Sequence, residues 1–142
     1  MRSMATKHDG PADNLPPPAG ASRRTVGDFG EAVACGYLVA QGYRILERNV
    51  RISGAEVDIV ALDGRCLVFV EVRLRRSRLY GTAEESITPV KRRRMRRAAL
   101  FLAASAAERW PFGPFEQWRI DFIGIHLEQR GGYRFNHLLA VA

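Results

Sequence analysis

The chain has 142 residues, of which 46% are hydrophobic and 26% charged; this is typical of one soluble domain and is too little chain for two. No apolar run approaches the roughly 20 residues of a membrane-spanning helix, and residues 1–20 lack the apolar stretch of a secretory signal, so we expect a cytoplasmic protein without a membrane partner. Cys35 and Cys66 lie in apolar stretches, which indicates reduced thiols and excludes a disulfide scaffold. The net charge of +7 favours an anionic partner.

The chain divides into an N-terminal tail and a single domain. Residues 1–24 contain three consecutive prolines at 16–18 and few large apolar groups, so we expect them to be disordered. The domain is expected over residues 25–142 and begins with a helix from Thr25 to about Gln41. Thr25 and Asp28 resemble a capping box at its start, and Gly42 ends it.

Five strands and a second helix are expected after Gly42. Asp63-Gly64 between two β-rich runs is a strong hairpin signal, and Pro111 would end the second helix. The order of helix, three strands, helix and two strands predicts an α/β sandwich with a mixed central sheet flanked by helices. The expected strands are 43–52, 56–62, 66–75, 118–127 and 133–141, and the second helix covers about 85–109 after a loop at 76–82.

Acidic side chains are expected on one face of the hairpin. With Asp63 and Gly64 as the turn residues, Glu56 faces Glu71 and Asp58 faces Phe69. Because alternate residues share a face, Glu56, Asp58, Glu71 and Arg73 then project to one side, and Val57, Ile59, Ala61, Val68, Val70 and Val72 project to the other. Three neighbouring carboxylates repel one another unless a cation lies among them. The hairpin therefore predicts a cation site.

Glu31 adds a fourth carboxylate from the first helix. At 100° per residue it falls on one apolar stripe with Ala34, Cys35 and Leu38. A carboxylate on such a stripe needs a partner or a metal. The alternative to a metal is an ion pair, for which Arg44 and Arg48 are the candidates.

The positive charge is concentrated in one segment. Residues 72–97 carry ten basic and two acidic side chains, a net charge of +8 that exceeds the excess of the whole chain. Nine of the ten cations are arginines, the side chain best suited to bidentate phosphate contacts. The candidate contacts to a nucleic-acid backbone are Arg75, Arg76, Arg78, Arg92, Arg93 and Arg96.

Several ordered blocks resemble the YraN-like family of bacterial proteins within the PD-(D/E)xK nuclease superfamily. Asp58 is separated by twelve residues from Glu71-Val72-Arg73, as in that motif, and Glu31 stands where the similar Holliday-junction resolvases have a glutamate. The resemblance implies a restriction-endonuclease-like fold. It covers about residues 26–142 and rests on residues 27–32, 42–49, 54–61, 68–73, 91–94 and 119–123 and on His137.

The resemblance also implies roles for individual residues. Asp58 and Glu71 would bind Mg²⁺ or Mn²⁺ together with the carbonyl of Val72, and Glu31 would lie near that metal. Arg73 occupies the motif's lysine position, and a guanidinium can clamp phosphate but stays protonated. Lys91 is a candidate substitute, because it shares a helical stripe with Ile87, Met95, Ala98 and Leu102 and so points inward, whereas Arg93, Arg96 and Arg97 point outward. The alternative is a lysine at the edge of the core whose ammonium extends to solvent.

Three functions are left open at this point. The first is a metal-dependent endonuclease cleaving phosphodiester bonds, in DNA with a structure preference rather than a sequence preference. The second is a nucleic-acid-binding module of the same fold that has lost cleavage, which Arg73 favours. The third is an interaction protein whose basic helix docks on an acidic partner. The oligomeric state, monomer or homodimer, is open as well. His126 and His137 are expected in the core.

Overall fold

The computed structural model describes residues 2–8, 17, 20–75, 84–128 and 131–142. Five strands form a mixed sheet flanked by helices, and a sixth strand is added at one edge. The elements in chain order are β1 (Arg2–His8), α1 (Arg23–Ala40), β2 (Arg44–Ile52), β3 (Ala55–Asp63), β4 (Cys66–Arg75), a 3₁₀ turn (Glu84–Ser86), α2 (Pro89–Ala104), α3 (Ala106–Arg109), β5 (Gln117–Leu127) and β6 (Tyr133–Leu139). The strand order is β1-β6-β5-β4-β3-β2, in which β4 and β5 are parallel and the other neighbours antiparallel.

The five expected strands are confirmed to within two residues at each end, but both expected helices differ in detail. Ser22, rather than Thr25, caps α1: its Oγ accepts a hydrogen bond of 3.2 Å from the Thr25 N–H. The second helix does not run unbroken over 85–109. It begins at Pro89, behind the N-cap Thr88, because proline lacks an N–H and is suited to the first helical position. It ends at Ala104, and α3 follows as a short separate turn.

The N-terminal segment differs from the expectation of disorder. Residues Arg2–His8 form β1, which pairs antiparallel with β6 from Arg2↔Leu139 to His8↔Tyr133. This pairing is made with main-chain groups of β6. The side-chain composition, on which the prediction of a disordered tail rested, gives no information about such main-chain pairing. Residues 9–16 and 18–19 of the expected tail lie outside the described residues.

The hairpin turn lies one residue later than predicted. Asp63 pairs with Cys66, so Gly64 and Arg65 form the turn, and Gly64 has the positive φ (+61°) that a type II′ turn requires at its first position. The predicted pairing of Asp58 with Phe69 is therefore wrong, and so is that of Glu56 with Glu71. A shift of the turn by one residue moves the cross-strand register by two, and such a shift by itself preserves the face on which a side chain lies.

Two hydrophobic layers cover the sheet. Val33, Ala34, Tyr37 and Leu38 of α1 pack on one face, and Met95, Ala98, Ala99 and Leu102 of α2 pack on the other. Val57 packs on the α2 side although Ile59 and Ala61 pack on the α1 side, so the predicted apolar face is wrong for Val57. The alternation breaks beside Asn49 of β2, which has a φ of 54° and lies between the pairs Arg48↔Ile59 and Val50↔Val57.

The remaining expectations concern cysteines, histidines and membranes. Cys35 and Cys66 are free and half-buried. His126 and His137 are buried, as expected. Within the described ranges, no helix combines the length and the apolar character needed to cross a bilayer.

Candidate active site

The β3–β4 ladder ends where the acidic residues begin. Its pairs run from Asp63↔Cys66 to Ile59↔Val70. Beyond that point the Val72 N–H donates a hydrogen bond of 2.8 Å to Oδ2 of Asp58. A side chain of β3 thus accepts a hydrogen bond from a main-chain N–H of β4. This bond holds the Asp58 carboxylate in the mouth of the hairpin, the opening where the two strands separate.

Three carboxylates meet at this mouth. Oxygen atoms of Glu31, Glu56 and Asp58 all lie within 4.8 Å of one another. Glu31 reaches the strands from α1 because its neighbour Gly30 packs closely on β4, where an added Cβ would lie 3.3 Å from Cβ of Leu74. The structure therefore brings together Glu31 and Asp58, two of the three predicted metal ligands, and adds Glu56.

Glu31 is only partly compensated. The residue is 7% exposed, and its Oε2 lies 3.5 Å from Nη2 of Arg48, one of the two predicted ion-pair partners. That oxygen accepts no hydrogen bond from any of the described residues. The other candidate, Arg44, stacks over the Phe112 ring instead. Glu31 therefore directs a buried oxygen with spare acceptor capacity toward the acidic group.

Two basic side chains form ion pairs with Glu71, the third predicted ligand. Its Oε1 lies 2.8 Å from Nη2 of Arg73 and 2.9 Å from Nζ of Lys91, and the residue is 5% exposed. The inward orientation predicted for Lys91 is confirmed, since Met95, Ala98 and Leu102 on its stripe are buried. Arg73 Nη1 also donates to the Val72 carbonyl at 3.3 Å, the oxygen that the resemblance implied as a metal ligand.

The acidic side chains ionise with difficulty in this setting. Burial and, to a smaller extent, the nearby Glu71 carboxylate raise the pKa of Asp58 to about 8, although the Val72 hydrogen bond acts to lower it. Burial also raises the pKa of Glu71, which the Arg73 guanidinium opposes. The pKa of Glu31 is raised by burial as well, and a hydrogen bond with Asn49 and the Arg48 charge counteract only part of this effect. Among the described residues, cations pair with Glu31, Glu56 and Glu71, whereas Asp58 has no ion-pair partner.

Two grooves open on either side of the acidic group and share Glu56, Asp58 and Arg73. One, of about 400 Å³, runs along the start of α2; the other, of about 500 Å³, runs along the start of α1. The first is also lined by Glu71, Lys91 and Arg94, and the second by Arg24, Glu31, Asn49 and Arg51.

The predicted backbone contacts are divided among several positions. Arg92, Arg93 and Arg96 are exposed on α2, and Arg75 is half-buried at the end of β4. Arg76 and Arg78 lie outside the described residues. Sequence reasoning did not select Arg24, Arg51 or Arg94, all of which line the grooves. For Arg24 a signal existed, because α1 begins with arginines and has no acidic residue in its first turn.

Comparison with known proteins agrees on one family. Residues 30–125 match the uncharacterised protein family UPF0102. A UPF0102 protein of Pelobacter propionicus is 40% identical over 139 residues, which cover 96% of this chain and 95% of the relative. One from Symbiobacterium thermophilum is 51% identical over 86 residues (60% and 73%), and one from a Mycobacterium species, strain KMS, is 37% identical over 131 residues (91% and 93%). The chain therefore belongs to the UPF0102 family.

Proposed function

We propose that this protein is a metal-dependent endonuclease of the restriction-endonuclease-like, PD-(D/E)xK type, cutting phosphodiester bonds in DNA. One observation carries the proposal: buried carboxylates with raised pKa values converge at the end of the β3–β4 hairpin, next to the exposed arginines of α2. Asp58, a carboxylate of this cluster with no ion-pair partner among the described residues, suits a cation, and the arginines suit the phosphates of the substrate.

The donor set fits Mg²⁺ or Mn²⁺. Carboxylate oxygens are the ligands that these hard cations prefer, and Oε2 of Glu31, which lies 3.5 Å from Nη2 of Arg48, accepts no hydrogen bond in the described part of the chain. Glu31, Glu56 and Asp58 would hold the ion, with Glu71 beside them. A bound divalent cation supplies charge stabilisation at the phosphate and lowers the pKa of water.

The two basic side chains at Glu71 have different roles in this proposal. Arg73 stays protonated and can orient a phosphate through its planar fork. Lys91 carries a proton that can move, and its Nζ contacts the same Glu71 oxygen as Arg73 does. We assign to Lys91 the role that the motif gives to lysine at the position of Arg73: its ammonium orients the attacking water, and once it has released its own proton to solvent, the neutral amine accepts the proton of that water.

The arginines of α2 indicate how DNA is held. Arg92, Arg93 and Arg96 project into solvent beside the groove, where they can contact phosphates. Phosphate contacts fix position without reading bases. We therefore expect a preference for DNA structure, such as branch points, over sequence.

A second function has its own support. Glu71 is already neutralised by Arg73 and Lys91, as a retired active site would be once its metal no longer bound. The chain would then be a nucleic-acid-binding or interaction module of the same fold. Divalent-cation binding separates this alternative from the nuclease, because only the nuclease needs it.

The test is cleavage of labelled linear duplex, single-stranded and four-way-junction DNA with Mg²⁺, Mn²⁺ or EDTA. We expect metal-dependent cutting that Asp58→Asn and Glu71→Gln each reduce roughly 1,000-fold, the equivalent of about 4 kcal/mol. Glu116→Gln is the matched control, because Glu116 is an exposed carboxylate paired with Arg65 away from the site. Binding of DNA without cutting in any metal would establish the binding module instead.

A further inference from the structure

The two grooves meet at the acidic group at the end of the sheet. Glu56, Asp58 and Arg73 line both of them. The start of α1 lies along one groove, or arm, and the start of α2 lies along the other. The acidic group therefore lies between the two arms.

Positive side chains line both arms. Arg24 and Arg51 belong to the α1 arm, and Lys91 and Arg94 belong to the α2 arm. The Arg51 side chain is 85% exposed although it lies 3.4 Å from Glu56, which leaves most of its guanidinium accessible to another anion. Arg24 and Arg94 are exposed as well.

The helices that form the arms carry no acidic residue in their first turns. Acidic residues stabilise a helix N-terminus and basic ones destabilise it, yet α1 begins with Arg23 and Arg24, and Lys91 to Arg94 follow the start of α2. Both helix starts thus add positive potential to the arms. Glu31 also lines the α1 arm, and its buried Oε2, which lies 3.5 Å from Arg48, accepts no hydrogen bond from the described residues.

We propose that a single phosphodiester strand crosses the end of the sheet through both grooves. Arg24 and Arg51 hold phosphates on one side of the acidic group, and Arg94 holds a phosphate on the other. The scissile bond then lies between these contacts. This inference rests on the proposed function, and it adds a substrate path and two phosphate contacts, Arg24 and Arg51, on the arm that faces away from the basic helix.

Binding of a fluorescent single-stranded oligonucleotide of about 12 nucleotides tests the path without relying on cleavage. Anisotropy is measured in EDTA and in Ca²⁺ over a range of salt concentrations. Each lost phosphate contact lowers the slope of log affinity against log salt by about 0.7. We expect Arg24→Ala/Arg51→Ala to lower it by about 1.4 and to weaken binding roughly tenfold, and Arg94→Ala to lower it by about 0.7. Arg65→Ala, at the hairpin turn and paired with Glu116, leaves binding unchanged.

The combined variant shows whether one strand occupies both arms. If it does, Arg24→Ala/Arg51→Ala/Arg94→Ala loses the sum of the two slopes, because the same molecule contacts every one of these side chains. If Arg24→Ala/Arg51→Ala binds like the unmodified protein while Arg94→Ala binds weakly, the strand remains on the α2 side; the path is then wrong and the proposed function stands.

Two other results would overturn the path. If the unmodified protein does not bind the oligonucleotide, both the path and the proposed function are wrong. If polyglutamate of matched charge displaces the oligonucleotide at equal concentration, the arms accept acidic chains in general, and a partner protein replaces the nucleic-acid strand.

Discussion

Two aspartates of the same sheet have opposite surroundings. Asp121 of β5 is fully buried, and its oxygens accept hydrogen bonds from Arg119 Nε (3.0 and 3.2 Å) and from the Ala140 N–H (3.0 Å), and lie 2.7 Å from Nε2 of His137. Asp58 of β3 has the Val72 N–H as its hydrogen-bond donor and faces the Glu71 carboxylate. The protein's own groups therefore compensate Asp121 far more completely than they compensate Asp58.

The residues that contact Asp121 have partners of their own within the chain. The Tyr37 hydroxyl lies 3.2 Å from Nδ1 of His137, and Arg119 Nη2 donates to the Tyr43 hydroxyl at 2.8 Å. A buried charge whose partners all come from its own chain ties elements together and leaves no position for a ligand. An acidic group that faces another negative charge does leave a position for a ligand. A structural charge cluster thus differs from a candidate binding site in whether the protein itself provides partners for the buried charge. Burial alone does not distinguish the two.

The same substitution at the two aspartates gives the largest expected difference. Asp121→Asn removes the charge that Arg119 and His137 share, and breaking a buried charged network costs about 3–5 kcal/mol of unfolding free energy. Asp58→Asn keeps an oxygen for the Val72 N–H and removes a carboxylate whose pKa burial raises, so it costs no stability at pH 8 without metal. Urea denaturation of both variants measures the difference.

Equal losses of stability in the two variants would contradict this distinction between the clusters. Asn136, next to His137 on β6 and half-buried, offers a control position: Asn136→Asp adds a carboxylate near the same core without removing one from Asp121. A loss confined to Asp121→Asn assigns the effect to the missing charge.

Changes to the ammonium group of Lys91 are expected to give the next largest effect. Lys91→Ala is expected to lower metal-dependent cleavage about 100-fold, a typical contribution of proton transfer, and to leave the Kd for DNA within a few-fold. Adding Arg73→Lys to that variant is expected to restore part of the rate, because residue 73 reaches the same Glu71 oxygen as Lys91 does. Single-turnover rates and anisotropy measure the two quantities.

Lys91→Arg is the matched control for this experiment, since it keeps the charge and loses the mobile proton. Cleavage that survives Lys91→Ala at the original rate would reject the assigned role. A rate equal in Lys91→Arg and the unmodified protein would show that only the positive charge is required.

The smallest expected effect is the pH dependence of stability. The folded-state pKa of Asp58 is raised from 3.8 to about 8, and those of Glu31 and Glu71 are raised too, so between these limits the folded protein binds more protons than the unfolded chain. This contribution is complete below the ordinary carboxyl pKa and is lost as the pH rises through the folded-state values. Without divalent cations, the Tm should therefore fall as the pH increases toward 8.

Mg²⁺ should counteract this decline, because it binds the deprotonated carboxylates. We expect millimolar Mg²⁺ to raise the Tm more at about pH 8 than at about pH 6, and Asp58→Asn to abolish most of the difference. Calorimetric scans with Mg²⁺ and with EDTA measure both slopes. An increase in Tm that is the same at both pH values would indicate a general salt effect instead.

Local patterns predicted much of the site. The alternation of polar and apolar residues placed Asp58 and Glu71 on the same strands that the structure shows, and helical periodicity directed Glu31 and Lys91 inward. The turn was predicted one residue too early, yet the faces of Asp58 and Glu71 were preserved because a two-residue shift of register preserves side-chain direction. The exact cross-strand partners could not be derived, since the turn type depends on the φ angle of Gly64.

Interactions between distant segments were beyond such patterns. The sequence did not indicate that Arg51 and Glu56 would line the same groove as Arg24, nor that β1 would pair with β6. Backbone pairing leaves little trace in the side chains of an edge strand, and the path of a groove depends on how the helices lie on the sheet.

From α1 onward the sequence by itself determined the order of helices and strands, the apolar faces of the helices and the concentration of charge in residues 72–97, because these depend on local periodicity and composition. The tertiary structure decided which charges are compensated. Asp58 and Asp121 are the same residue type in two apolar strands, and what separates them is that β6 brings His137 to one, whereas the separating β3 and β4 strands bring Glu71 to the other. Compensation depends on distances between groups that are far apart in the chain, and only the folded structure determines those distances.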